Sequence, residues 1–205
     1  MLTRLYATNY KCLVNFEFKL GAPQLIIGRN GTGKSTVLDV IALIRDFASR
    51  SLTCDDLADK ARLMDGTRTG WQSVDYQRFE LDVEGNGGTY NYALIVNEIG
   101  SPARPRVKEE KLDFNGRPLF RFCEGEISLF NDKQDLKPGV QFHFDWHRSG
   151  LAIVDIGRKD NAKLTWFRRW LDRIVEVQIN PWAISARSER ESSNLAKDAG
   201  NFADW

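Results

Sequence analysis

Apolar residues recur along the chain with two different periods, and the change of period marks its organisation. Residues 2–9 read as a strand with Leu2 and Tyr6 among its apolar members, and residues 14–20 alternate as Val14, Phe16, Phe18 and Leu20. With residues 10–13 as the turn, this predicts an N-terminal antiparallel hairpin. Leu25-Ile26-Ile27, between Pro23 and Gly28, predicts a short buried strand, and residues 36–47 are apolar on almost every side, as in a helix packed deep against a sheet. Residues 49–70 mix charge with Gly66 and Gly70 and read as a connector, in which Thr53 and Asp56 have the spacing that caps a short helix through Met64.

From about Trp71 to Ile156 the period becomes two. Phe79, Leu81 and Val83 alternate with charged residues, residues 85–88 turn, and Tyr90, Tyr92, Leu94 and Val96 return. Asn115-Gly116 and Glu124-Gly125 signal two more hairpins, and Phe142, Phe144 and Trp146 continue the alternation. These aromatic residues read mainly as core, with base stacking as a second use. Asp160 or Asn161 then caps a helix over residues 162–174, with Leu164, Phe167, Leu171 and Ile174 on one face and basic residues on a solvated face. Residues 175–179 predict a strand returning to a central sheet, and residues 181–205 a mobile tail.

The candidate chemistry lies between the short strand and the first helix. Residues 28–35, Gly-Arg-Asn-Gly-Thr-Gly-Lys-Ser, fit the phosphate-binding pattern G-x-x-x-x-G-K-[ST] at every fixed position. Gly28, Gly31 and Gly33 allow backbone conformations closed to other residues, so the amides from Arg29 through Gly33 can turn inward as an anion nest. A helix starting near Lys34 adds free N–H groups and the positive end of its dipole. Lys34 is the expected catalytic cation on the β- and γ-phosphates, Ser35 the Mg²⁺ ligand, and Thr36 an α-phosphate contact. A nucleoside triphosphate with Mg²⁺ is therefore the expected ligand, and the loop alone does not say which base is held.

Asn9-Tyr10-Lys11-Cys12-Leu13, the alternating strand after it, and the run from Ile27 through Ile41 together resemble the opening of SMC/RecF-type ABC ATPases, including the OLD-like bacterial ATPases. The resemblance covers about the first 47 residues. It implies an α/β fold, a P-loop NTPase of ABC type whose central sheet carries an N-terminal hairpin and an inserted antiparallel β lobe. It also implies that Lys11 and Asn30 lie near the nucleotide and that a glutamine senses Mg²⁺ and the γ-phosphate, with Gln178 the candidate and Gln72 and Gln77 its rivals. Two such subunits, as a homodimer or with a second ATPase lobe, would sandwich ATP and act in DNA repair or anti-phage defence, with DNA and an effector nuclease as partners.

Hydrolysis needs a further acidic strand, and its one imitator, residues 151–155, puts Ile156 after Asp155 where an acid should follow. No Leu-Ser-Gly-Gly-Gln signature occurs. The chain thus reads as an N-terminal lobe that binds ATP better than it turns it over. A non-hydrolysing nucleotide-binding regulatory module and a transporter ATPase subunit are the alternatives. Composition adds limits: 29 Lys and Arg against 28 Asp and Glu give no global nucleic-acid footprint, and any such surface is local. Cys12, Cys54 and Cys123 lack metal-ligand spacing and suit a reducing cytoplasm. No run reaches membrane-spanning length.

Overall fold

The computed structural model describes residues 1–21, 23–50, 52–64, 66–100, 103–132, 138–154, 159–184, 191–192 and 195–203. Its described residues fall into two compact units, Met1–Asp172 and Arg173–Trp205. The first is built on one sheet. Strands β1 (Leu2–Thr8), β2 (Phe16–Lys19), β3 (Tyr76–Gly85), β4 (Gly88–Ile99), β5 (Arg104–Phe114), β6 (Arg117–Cys123), β7 (Glu126–Leu129) and β8 (Val140–His143) pair in the order β2-β1-β3-β4-β5-β6-β7-β8. Every pairing is antiparallel.

The register follows from the period-two pattern. Phe18, Leu5, Leu81, Tyr92, Leu112, Phe120, Leu129 and Val140 are successive cross-strand partners, a single row that crosses all eight strands. From Leu5 to Leu129 this row is buried. Slipping any strand by one residue would turn its apolar side chains to water, so burial fixes the pairing. Asn86-Gly87, Asn115-Gly116 and Glu124-Gly125 all adopt the positive φ that tight hairpins require.

Helices α1 (Lys34–Arg50), α2 (Cys54–Asp59), α3 (Gly150–Ile153) and α4 (Ala162–Asp172) complete the unit. Val40, Leu43, Ile44 and Phe47 bury the inner side of α1, and Phe167 of α4 lies against the rings of Tyr90 and Tyr92 on β4. Gly85 ends β3 without a side chain because Trp166 occupies the space where a Cβ would project. On α1, Asp46 is buried between Arg45 and Arg62 at 2.8 and 2.7 Å. Burial pushes its carboxyl up, but the two arginine hydrogen bonds prevail and hold it below the ordinary value.

One buried acid ties the sheet to a helix. Glu110 of β5 sits between Leu94 and Phe122 in an otherwise apolar row and is fully buried. It accepts hydrogen bonds from the Tyr92 hydroxyl, the Ser149 hydroxyl and the amides of Gly150 and Leu151. Burial nevertheless pushes its carboxyl above the ordinary value.

The structure corrects the expected architecture. The eight-stranded sheet is wholly antiparallel and contains no parallel α/β core, so the chain is not a P-loop NTPase of ABC type in its fold. The N-terminal hairpin and the period-two region form one sheet, because β1 pairs directly with β3, instead of a central sheet with an inserted lobe. Leu25 and Ile27 are 83% and 82% exposed and belong to no strand, so the short buried strand is absent. Residues 175–179 likewise belong to no strand, with Val175 and Ile179 exposed, although the Gln178 amide donates to the Lys197 carbonyl within their own unit. At Leu25 and Ile27 apolar character signalled a need for burial that no strand of their unit satisfies among the described residues.

Smaller differences are local. The helix opened by the Thr53–Asp56 capping box ends at Asp59 and does not reach Met64. The first turn of α4 is capped by Asp132, which accepts from the amides of Ala162 and Lys163, and not by Asp160 or Asn161. Residues 150–153 are helical where a strand imitated an acidic motif, and Asp155 lies outside the described residues. Much of residues 181–205 also lies outside them.

Candidate functional site

Residues 28–35 form an exposed loop that enters α1 at Lys34, the position the phosphate-binding pattern requires. Gly31 and Gly33 have φ of +82° and +90°, which side-chain-bearing residues rarely adopt. Between them Thr32 closes a turn, its amide and its hydroxyl both donating to the Arg29 carbonyl at 3.4 and 2.9 Å. Val37 begins the regular helical ladder by donating to the Gly33 carbonyl at 3.2 Å. Among the described residues, none accepts from the amides of Asn30, Gly31, Gly33, Lys34, Ser35 or Thr36.

These unpaired donors crowd at the positive end of a 17-residue helix. The Lys34 ammonium folds back onto the loop and donates to the carbonyls of Gly28 and Arg29, each at 2.7 Å. The exposed Ser35 hydroxyl has no protein partner among the described residues. Unpartnered amides, one ammonium and one hydroxyl without a protein partner at a helix start are the groups that can hold an oxyanion and leave a hydroxyl for its counter-cation.

The wall behind the cup is the hairpin turn after β1. The Cys12 sulfur stands 2.8 Å from where a Cβ on Gly33 would lie, and its thiol donates to the Thr36 hydroxyl at 3.9 Å. Glycine at 33 is thus required twice, by φ and by this close approach. The turn itself is fixed by reciprocal bonds between Tyr10 and Leu13 at 3.2 and 2.8 Å.

A buried amide network holds that turn against residues 64–77. Gln77, 0% exposed, donates to the Asn9 carbonyl at 2.9 Å and the Thr67 hydroxyl at 3.1 Å, and accepts from the Met64 amide at 2.8 Å. The Asn9 side chain donates to the carbonyls of Val74 and Tyr76 and accepts from the Thr69 amide. Lys11 completes the seam, its amide donating to the Thr67 carbonyl at 2.6 Å and its carbonyl accepting from the Thr69 hydroxyl at 2.9 Å. Sequence reasoning missed this network, although an asparagine closing a strand at positive φ is the kind of residue that signals such a turn.

The remaining candidates are distributed as follows. The Lys11 ammonium pairs with Asp39 of α1 at 2.7 Å and lies over the Tyr10 ring, so it stands near the loop with its charge already partnered. Gln77 is committed to the network, which removes it as a phosphate sensor. Gln72 closes a turn by donating its amide to the Thr69 carbonyl at 3.0 Å. Gln178 belongs to the second unit, where its amide donates to the Lys197 carbonyl at 2.6 Å. Among the described residues there is no group of three or more His, Cys, Asp or Glu able to hold a metal ion, and no helix is long and apolar enough to cross a membrane.

No protein-family model matches the chain and no curated protein matches it, so the resemblance of its opening segment rests on the residues quoted for it alone.

Proposed function

We propose that residues 28–36 bind the phosphate tail of a nucleoside triphosphate, ATP with Mg²⁺, and that this is the chain's primary activity. One observation carries the proposal: six amides at the start of α1 have no acceptor among the described residues, beside two glycines at φ that only glycine adopts readily. The G-x-x-x-x-G-K-[ST] pattern supports a triphosphate over a simple anion, because its lysine and hydroxyl serve two adjacent phosphates and their cation. Lys34 would exchange its bonds to the Gly28 and Arg29 carbonyls for phosphate oxygens, and Ser35 would ligate Mg²⁺ that arrives with the triphosphate. No preformed acidic cluster competes for that cation among the described residues.

The resemblance of the turn and loop to SMC/RecF-type ATPases supports ATP as the nucleotide and DNA-directed work as its setting. It does not extend to the fold. The proposed activity is binding: hydrolysis needs an acidic residue to orient water, and Ile156 follows Asp155 where that acid would stand.

Titration calorimetry with Mg-ATP tests the proposal. Wild-type protein is expected to bind and Lys34→Ala to lose detectable binding while keeping the circular dichroism of the fold. Equal affinity in the two proteins would contradict the assignment.

A further inference from the structure

A phosphate cup selects a triphosphate but does not by itself hold a base, and one side chain beside it has the form of a base platform. Trp71 is 75% exposed, and its indole has no ring, cation or hydrogen-bond partner among the described residues. A free indole of this size on a rigid segment is unusual, since tryptophan normally buries most of its surface.

The segment is held at both ends. Thr67 and Arg68 donate their amides to the Met64 carbonyl, and Gln72 donates to the Thr69 carbonyl, which puts Trp71 on a closed turn. The Arg68 guanidinium donates to the Val74 carbonyl at 2.8 Å across the base of the same loop, and Asn9 donates to that carbonyl at 3.1 Å. Such anchoring removes the backbone ordering cost that an aromatic residue on a mobile loop would carry on binding.

Its anchor also bonds to the turn that stands behind the loop. Thr69, two residues before Trp71, bonds to both Asn9 and Lys11, and Cys12 follows Lys11 in contact range of Gly33. Two residues of chain span at most about 7 Å. Trp71 therefore belongs to a segment that packs against the hairpin turn whose Cys12 approaches Gly33 of the phosphate loop. The other exposed indoles fit less well: Trp146 is covered by Arg106 at 4.7 Å, and Trp182 belongs to the second unit.

We infer that Trp71 stacks on the nucleobase of the triphosphate held by residues 28–36, making the site a nucleotide site in which phosphates and base are held by different elements. Every base has a π-face, so stacking of this kind is tolerant of base identity, and ATP and GTP are expected to bind alike. The inference rests on the phosphate-loop proposal.

Two probes separate the two claims: Mg-ATP, and Mg-tripolyphosphate, which has the phosphates without the base. Trp71→Ala is expected to weaken Mg-ATP about tenfold, the middle of the range for losing one base–aromatic stack, and to leave Mg-tripolyphosphate binding unchanged. Trp71→Phe should retain most of the Mg-ATP affinity. Unchanged Mg-ATP binding in Trp71→Ala, or equal weakening of both probes, overturns the inference and leaves the phosphate cup standing. Absence of binding of either probe to wild-type protein overturns both.

Discussion

Gln77→Ala gives the sharpest test of how the candidate site is supported. The wild-type side chain is fully buried and makes three hydrogen bonds, at 2.8 Å from Met64 and at 2.9 and 3.1 Å to Asn9 and Thr67. Truncation strands the Met64 amide and the Asn9 carbonyl, whereas the Thr67 hydroxyl keeps its bond to the Met64 carbonyl at 2.9 Å. At about 1–3 kcal/mol for each stranded buried group, two of them give about 2–6 kcal/mol, and local relaxation sets the expectation at about 3 kcal/mol. With a urea dependence of about 2 kcal/mol per molar, the unfolding midpoint should fall by about 1.5 M with an unchanged slope. Gln77→Glu should cost more, because it brings a second oxygen against the Asn9 carbonyl and buries a charge. A Gln77→Ala midpoint equal to wild type, with a weakened response to nucleotide, would refute the reasoning and return Gln77 to the role of a phosphate sensor.

Two further outcomes are expected. Asp46 has a folded pKa below its ordinary value, so it contributes stability that is present above the ordinary carboxylate range and lost as pH falls through the folded value; Arg62→Ala should make the acid limb of a stability-against-pH curve shallower, and an identical limb would contradict the ion-pair assignment. Gly31→Ala meets no atom within 4 Å and bears only the cost of positive φ, about 1–2 kcal/mol, whereas Gly33→Ala adds a collision with the Cys12 sulfur; thermal unfolding of the two variants should show the larger loss at Gly33, and the reverse order would mean that the turn does not back the loop.

The parts of this molecule that a reader of the sequence can foresee are those whose cause is local. Alternation at Phe79, Leu81 and Val83 specifies a half-buried strand, Asn-Gly pairs specify tight turns, and the glycine spacing of residues 28–33 specifies a loop that needs positive φ. The Thr53–Asp56 capping box is legible for the same reason. What was misread depends on partners distant in sequence. Leu25-Ile26-Ile27 announces a demand for burial without naming a neighbour, and β3 rather than this segment takes the place beside β1. The cap of α4 comes from Asp132, 30 residues away from Ala162. Gln77 and Glu110 fall on the buried face of their strands' alternation, but their polar character does not reveal the residues that satisfy them there, Asn9 and Ser149, which arrive from elsewhere in the chain.

The central claim is that backbone amides between Asn30 and Thr36 grip a polyphosphate, and amide-resolved NMR measures those groups individually. On addition of Mg-tripolyphosphate to the full chain, the largest ¹H–¹⁵N shifts should fall on Gly31, Gly33, Lys34 and Ser35, with saturation at one equivalent. Shifts scattered over the basic surface, or none in this segment at saturating polyphosphate, would contradict it.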